Sequence, residues 1–150
     1  MIYGENGKPY LKDQSTHFNI SHSGDYVVLG AAKRDIGVDI EKIASYPDRV
    51  AIRCFTPLER EWMKQEGENE AFYRLWTAKE SVMKASGLGF SLPPEAFTVL
   101  PMNRSAHYIA GKTWFLDWIS YNNHMICVAI EGEAEKTEVI TIASSDLLRA

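Results

Sequence analysis

Two acidic side chains on one predicted strand are the first candidates for chemistry. Apolar and polar residues alternate from Ile36 to Glu41, so Asp39 and Glu41 lie on the same face of an extended strand. A pair of carboxylates supplies the hard oxygen ligands that suit Mg²⁺. The alternative is that the two charges protect an exposed strand edge from unwanted pairing. A magnesium site at this strand requires a further ligand.

Glu80 and Lys84 supply the groups that such a site would need. They lie four residues apart, so a helix places them on one face, with Trp76 one turn earlier. The carboxylate can complete a magnesium site, while the ammonium contacts phosphate oxygens as a point charge. The alternatives are a solvated ion pair that contributes about 0.2–0.5 kcal/mol and a tryptophan that anchors the core. The combination favours phosphoryl chemistry.

Ser21, His22 and Ser23 end another predicted strand just before a turn. Their two hydroxyls and one imidazole can donate hydrogen bonds to phosphate, and an ordinary strand end is the alternative. A serine nucleophile with a histidine base is not predicted, because adjacent residues of a strand point to opposite faces. The other histidines are interpreted as surface or hydrogen-bonded structural residues, and these are His17, His107 and His124.

Local sequence signals define the elements that position these residues. The runs 18–23 and 26–32 are rich in β-forming residues and flank a Gly24-Asp25 turn, which predicts a hairpin. Thr56 as N-cap, Pro57 at the first helical position and Glu59 three residues after the cap predict a helix that runs toward position 67. A longer helix is predicted over 68–86, with Gly87 as its stop.

The last third of the chain is predicted to return to strands. The predicted strands are 97–100, 114–121, 124–130 and 138–143, and the second and third are joined by an Asn122-Asn123 turn. Strands, then helices, then more strands indicate an α+β fold, with a mostly antiparallel sheet packed against the long helix. Residues 1–17 are predicted to be a loop-rich segment, with the ordered fold beginning near Phe18.

Composition narrows the class of protein. The 150 residues include 16 basic and 20 acidic side chains, giving a net charge of −4, and one soluble domain over 1–150 is expected. A mildly acidic chain without a Lys/Arg run has no general electrostatic attraction to nucleic acid or to anionic membranes, which argues against those partners and leaves room for a local basic site. The chain has two cysteines, and neither a signal peptide nor a transmembrane segment is evident, so a cytoplasmic location is expected.

Four motifs occur in a fixed order along the chain. They are Gly7-Lys8-Pro9-Tyr10-Leu11, Phe18-Asn19-Ile20-Ser21-His22-Ser23, Gly37-Val38-Asp39-Ile40-Glu41 and Trp76-Thr77-Ala78-Lys79-Glu80-Ser81-Val82-Met83-Lys84. Together they resemble the 4′-phosphopantetheinyl transferases of the surfactin-synthetase-activating type, and the last two are also shared with the small holo-acyl-carrier-protein synthases. The segment 55–59 between them is also family-like, whereas the last third of the chain matches only in pattern.

The resemblance implies a reaction and a role for each matching residue. The reaction is transfer of phosphopantetheine from coenzyme A to a serine hydroxyl of an apo acyl or peptidyl carrier protein, with release of adenosine 3′,5′-bisphosphate. Glu80 or a metal-bound water would act as the base. The other implied contacts are Asp39, Glu41 and Glu80 with Mg²⁺, Lys84 and His22 with the pyrophosphate, Ser21 with the 3′-phosphate, and the backbone around Gly7, Lys8 and Pro9 with adenine.

The resemblance also bears on how the active site is formed. Members of this type have two similar lobes, and the active site lies between them. In such members the Gly-Lys-Pro motif lies near the end of the first lobe, and here it lies at residues 7–9. A homo-oligomer or a separate first-lobe partner is therefore expected. One alternative function is a non-catalytic relative that binds coenzyme A or a carrier protein. Another is a magnesium-dependent phosphohydrolase, against which the Gly-Lys-Pro and Ser-His segments argue.

Overall fold

The computed structural model describes residues 1–133 and 136–147. The strands are β1 (Ile2–Tyr3), β2 (Pro9–Tyr10), β3 (His17–Ser23), β4 (Tyr26–Ala32), β5 (Ile36–Lys42), β6 (Ser105–Ile109), β7 (Lys112–Tyr121) and β8 (His124–Glu131). The α-helices are α1 (Asp48–Cys54), α2 (Pro57–Glu66), α3 (Glu68–Ser86) and α4 (Ser144–Leu147). Two short 3₁₀ turns follow α3, at Gly89–Ser91 and Pro94–Ala96. No helix in these ranges is long and apolar enough to cross a membrane.

The predicted α+β fold is confirmed. Strands β5, β8, β7 and β6 form, in that order, one antiparallel sheet, and α3 packs across β5 and β8. The close approach of α3 to β5 depends on Gly37, because a β-carbon there would overlap the carbonyl oxygen of Ser81. The helix and the sheet enclose a core whose central side chains are Leu75, Ala78, Val82, Leu116, Cys127 and Ala129.

The predicted hairpin of β3 and β4 is confirmed, and it approaches the sheet in an unusual way. Its strand β3 faces the free edge of β5 with side chains in place of backbone groups. Three side-chain oxygens, spaced two residues apart, accept the edge amides of β5. These bonds are Asn19 Oδ1 to Val38 N (2.9 Å), Ser21 Oγ to Ile40 N (3.3 Å) and Ser23 Oγ to Lys42 N (3.1 Å). Because side chains alternate along a strand, Ile20 and His22 point to the opposite, exposed face.

A completely buried ion pair joins α3 to α2. The Lys79 ammonium lies 2.9 Å from Glu59 Oε2, and both side chains are fully excluded from solvent. The ammonium also donates to the carbonyl oxygens of Pro94 and Phe97, each at 2.6 Å. These three bonds use every donor of the lysine.

Glu59 also explains why one predicted strand does not form. Its Oε2 accepts the amide of Thr56 in the predicted capping box, and its Oε1 accepts the amide of Val99 at 2.9 Å. The prediction of a strand over 97–100 is wrong, because side chains of α2 and α3 bind this backbone where a neighbouring strand would. A local pattern of β-forming residues cannot reveal such long-range partners.

Other differences from the predicted elements lie near the chain ends and in two short elements. The prediction of a strand over 138–143 is wrong, because Val139, Ile140 and Ile142 are exposed and pack against no sheet. Helix α1 and strand β6 were not predicted. The ordered fold also begins before Phe18, since the buried Lys8 side chain ties the opening segment to the end of α3.

We expect Lys79→Met to lower the free energy of unfolding by about 3–5 kcal/mol, because it leaves the Glu59 carboxylate buried without its counter-ion. Urea denaturation measures the change. The matched control is the double variant Glu59→Gln/Lys79→Met, which removes both charges and should recover much of the loss. Equal losses in the single and double variants would show that the charge pairing is not the cause.

Candidate active site

Asp39 lies at the centre of the predicted constellation. Its side chain is 5% exposed, and its Oδ1 accepts bonds from Lys84 Nζ at 2.7 Å and from Ser21 Oγ at 3.0 Å. Its Oδ2 is buried and has no hydrogen-bond partner among the described residues. Burial raises the pKa of the Asp39 carboxyl, and the charge and hydrogen bonds of Lys84 and Ser21 oppose that rise. One oxygen of this carboxylate is thus fully engaged and the other is free.

Lys84 reaches Asp39 from the last turn of α3 and joins the helix to both strands. Its ammonium donates to Asp39 Oδ1, to the carbonyl oxygen of Val38 at 3.2 Å and to Ser21 Oγ at 3.3 Å. The side chain is 29% exposed, so the charge lies at the edge of the cluster and not inside the core. A ligand that approaches from solvent can therefore reach this ammonium.

Glu41 and Glu80 complete a group of three carboxylates that interact electrostatically. Burial raises the pKa of the Glu80 carboxyl, the charges of Asp39 and Glu41 raise it further, and Lys84 opposes the rise. The pKa of the Glu41 carboxyl is also raised, by burial and by Asp39, and a hydrogen bond from Trp76 is among the effects that lower it. The sequence-predicted set of Asp39, Glu41, Glu80 and Lys84 is thus brought together.

The donor set fits a divalent cation, although the side chains do not form a ligand cage as they stand. In the ranges 1–133 and 136–147, no three His, Cys, Asp or Glu side chains lie close enough together to hold a metal ion. The Oδ2 of Asp39 is nevertheless buried without a partner among the described residues, and burial together with the charge of Asp39 raises the pKa of Glu41 and Glu80. Hard carboxylate oxygens of this kind are ligands for Mg²⁺.

The structure places His22, Lys8 and Pro9 outside the carboxylate cluster. His22 is exposed on the face of β3 opposite to Ser21. The Lys8 ammonium donates to the carbonyl oxygens of Ala85 (2.7 Å) and Ile36 (3.3 Å), and burial lowers its pKa. Pro9 lies in β2, opposite Tyr3 in the register. The roles that the resemblance implies for these three residues stay predictions.

His124 was interpreted as a surface or structural residue, and the structure places it beside the site. It is buried, its Nδ1 donates to the carbonyl oxygen of Asn122 at 2.7 Å, and its Nε2 has no partner among the described residues. Its electrostatic interaction with Glu41 is among the effects that lower the pKa of that carboxyl. The signal that could have found it is strand register, since β8 pairs with β5 and sets His124 opposite Lys42.

A groove of about 620 Å³ opens beside Trp76, one turn along α3 from Glu80. It lies between α1 and the segment that follows α3, and it combines apolar and basic side chains with one acidic side chain, Glu95. Its lining includes Val50, Phe90 and Pro94 together with Arg49 and Arg53. Phe90 is 80% exposed, so an aromatic ring is presented to solvent at the rim.

Comparison with known proteins gives one consistent family. Residues 35–143 match the model of the 4′-phosphopantetheinyl transferase superfamily. The chain is 40% identical over 99 residues to a 4′-phosphopantetheinyl transferase of Bacillus subtilis, an alignment that covers 63% of this chain and 44% of that protein. It is 38% identical over 128 residues to the 4′-phosphopantetheinyl transferase Sfp of Bacillus subtilis strain 168, covering 75% and 56%.

Two further comparisons have lower sequence identity. The L-aminoadipate-semialdehyde dehydrogenase-phosphopantetheinyl transferase of Mus musculus is 34% identical over 151 residues, covering 87% of this chain and 44% of that protein. The holo-[acyl-carrier-protein] synthase of Thermotoga maritima is a similar solved structure, with a TM-score of 0.47, 14% identity, and coverage of 77% of this chain and 73% of that one. The chain spans about half the length of the curated relatives it matches.

We expect Glu80→Gln to raise the melting temperature of the metal-free protein at neutral pH. The folded-state pKa of Glu80 lies above its ordinary value of 4.5. The protonated carboxyl therefore stabilises the folded protein fully below pH 4.5, and this stabilisation is lost as the pH rises through the folded-state pKa. The gain should therefore shrink as the pH falls toward 4.5. Thermal unfolding in chelator measures it, with Glu70→Gln on the exposed first turn of α3 as control. A gain that does not change with pH would contradict this origin.

Proposed function

Because this chain belongs to the 4′-phosphopantetheinyl transferase superfamily, we propose that it transfers 4′-phosphopantetheine from coenzyme A to a serine hydroxyl of an apo acyl or peptidyl carrier protein. The observation that supports the proposal most is the 2.7 Å ion pair of Lys84 with Asp39 between α3 and β5, with Glu41 and Glu80 coupled electrostatically to Asp39. All four lie inside the segment that matches the family.

The reaction replaces one phosphorus–oxygen bond by another. The serine oxygen of the partner attacks the phosphorus that carries pantetheine, the pyrophosphate bond breaks, and adenosine 3′,5′-bisphosphate leaves with the bridging oxygen. Such a transfer requires in-line positioning and neutralisation of the developing charge, with no covalent intermediate on the enzyme. The residues around Asp39 are suited to both requirements.

Glu80 and Lys84 have complementary roles in this proposal. Glu80 presents a carboxylate from the rigid helix α3, which would accept the proton of the attacking hydroxyl either directly or through a metal-bound water. Lys84 is partly exposed, so its ammonium can contact the phosphates and stabilise the departing one. Asp39, Glu41 and Glu80 would hold Mg²⁺, which supplies positive charge to the pyrophosphate.

The protein partner has room beside this cluster. The groove next to Trp76 borders the turn of α3 that carries Glu80, and its charged lining residues are two basic ones, Arg49 and Arg53, and one acidic one, Glu95. A partner docked there could bring a serine hydroxyl to Glu80. We also propose a cytoplasmic location, which the two unpaired cysteines, Cys54 and Cys127, support.

Intact-protein mass spectrometry tests the proposal. An apo carrier protein incubated with this chain, coenzyme A and Mg²⁺ should gain the mass of one phosphopantetheine. We expect Glu80→Gln to abolish the gain while the fold is kept, because an amide is a poor magnesium ligand and cannot act as a base. Glu70→Gln, the same change at an exposed position of α3, should leave it intact.

Each contrary outcome has a distinct meaning. Full transfer by Glu80→Gln would remove Glu80 from the site. Coenzyme A binding without transfer by the wild-type chain would favour the alternative of a non-catalytic relative that binds coenzyme A or a carrier protein. Release of phosphate or nucleotide from coenzyme A without a carrier protein would favour a phosphohydrolase.

We further propose that a second copy of the chain covers the outer face of the β3–β4 hairpin. Ile20, Val27 and Leu29 lie together on this face and are 53%, 72% and 63% exposed. Apolar patches larger than a few hundred Å² rarely stay exposed on soluble monomers. A separate first-lobe polypeptide is the alternative occupant.

We expect light scattering to show a homo-oligomer, and Leu29→Asp to convert it to monomers by placing a charge in the apolar contact. Ile52→Asp is the matched control, since Ile52 is 68% exposed on α1, away from the hairpin. A monomeric wild-type chain, or an oligomer that Leu29→Asp leaves unchanged, would rule out this contact.

A further inference from the structure

We propose that Ser21 is a positioning residue that orients the Asp39 carboxylate, so that Oδ1 is held by the protein and Oδ2 is left to meet a divalent cation. The inference rests on the proposed function, because it assigns a task to a residue next to the proposed cation ligands. It gives Ser21 a different role from the phosphate contact that the resemblance implies.

The Ser21 hydroxyl is already saturated by contacts inside the protein. Its hydrogen goes to Asp39 Oδ1 at 3.0 Å, because a carboxylate can only accept. Its two lone pairs accept the Ile40 amide and the Lys84 ammonium, both at 3.3 Å. Ser21 is 7% exposed, so a phosphate would have to break one of these bonds to gain one.

Two separate elements hold the same oxygen of Asp39. Ser21 approaches from β3 and Lys84 approaches from α3, and both bind Oδ1. A carboxylate is free to turn about its last side-chain bond unless such contacts fix it. Lys84 alone is a flexible and partly exposed partner, and it could bind either oxygen. The rigid strand position of Ser21 is what distinguishes Oδ1 from Oδ2.

The unpartnered Oδ2 is the second observation that points to a ligand. A buried acceptor without a partner is unfavourable, and such atoms in a folded protein are commonly completed by an ion or water. The nearby carboxylates of Glu41 and Glu80 interact with Asp39 and add negative charge. A divalent cation satisfies both the orphaned oxygen and the excess charge.

The test uses the full chain with Mn²⁺ as a paramagnetic substitute for Mg²⁺. Titration followed by the electron paramagnetic resonance signal of free Mn²⁺ gives the dissociation constant without any turnover. We expect Ser21→Ala to weaken Mn²⁺ binding by about 10- to 100-fold, the usual effect of removing a residue that orients a metal ligand. Ser21→Thr keeps the hydroxyl and should restore most of the affinity.

Ser23→Ala is the matched control. Ser23 accepts an edge amide of β5 in the same way as Ser21, and its partner is the amide of Lys42. The hydroxyl that donates to Asp39 Oδ1 is that of Ser21. Its loss should leave Mn²⁺ affinity unchanged. If Ser21→Ala does not fold, Ser21→Cys keeps the size of the side chain with a weak donor, and it should weaken Mn²⁺ binding in the same direction.

Coenzyme A and dephospho-coenzyme A, which lacks the 3′-phosphate, separate the two roles of Ser21. A positioning role predicts that Ser21→Ala weakens both nucleotides equally in the presence of Mn²⁺. Weaker binding of coenzyme A alone, with unchanged Mn²⁺ affinity, would overturn the inference in favour of phosphate contact. Unchanged binding of Mn²⁺ and of both nucleotides would overturn it as well.

The outcomes also separate this inference from the proposed function. If the wild-type chain transfers phosphopantetheine, and Ser21→Ala binds Mn²⁺ as tightly as the wild type, only the role of Ser21 is refuted. A wild-type chain that binds neither Mn²⁺ nor coenzyme A would refute the proposed function and the inference together.

Discussion

The buried ion pair of Glu59 and Lys79 fixes the rotation of α3, and the geometry of the site follows from that rotation. Successive residues of a helix point about 100° apart. Because Lys79 is held by Glu59 of α2 and by carbonyl groups of the segment that follows α3, the next residue, Glu80, is turned toward β5. Lys84, one turn later, faces the same way and reaches Asp39. The apolar face of α3, with Leu75, Ala78 and Val82 in the core, supports the same orientation.

The site concentrates negative charge where the protein can least accommodate it. Burial raises the pKa of all three carboxyl groups, and the charge of Asp39 raises the pKa of Glu41 and Glu80 further. Lys84 and Ser21 relieve part of this repulsion at one oxygen of Asp39. Residual strain of this kind is typical of sites that bind a ligand, because an arrangement optimal for the empty protein would leave nothing for the ligand to stabilise.

Local sequence signals were sufficient for several of the elements and for part of the site. The β3–β4 hairpin, the capping box of α2, and α3 with its left-handed Gly87 stop all depend on neighbours within a few residues. The meeting of Asp39 with Glu80 and Lys84 was predictable because strand alternation and helix period each fix which side chains share a face. Family resemblance then indicated that the two faces meet.

Features that depend on distant residues were not predictable from local patterns. The burial of Lys8 depends on carbonyl groups of Ala85 and Ile36, which no local pattern connects to it. His22 lies on the outer face of β3 because its neighbour Ser21 faces β5, and the sequence does not state which face of a hairpin will pack. The unpredicted position of His124 likewise follows only from the pairing of β8 with β5.

The side-chain contacts between β3 and β5 have an evolutionary consequence. A backbone ladder survives nearly any substitution, since every residue except proline carries the same amide and carbonyl groups. Here the edge amides of β5 depend on the identities of Asn19, Ser21 and Ser23, so replacement of any one exposes a sheet edge to pairing with other chains. Ser21 also contacts Asp39, so selection for solubility and selection for chemistry act on the same short segment. Such a segment should diverge slowly even where its residues never touch a substrate.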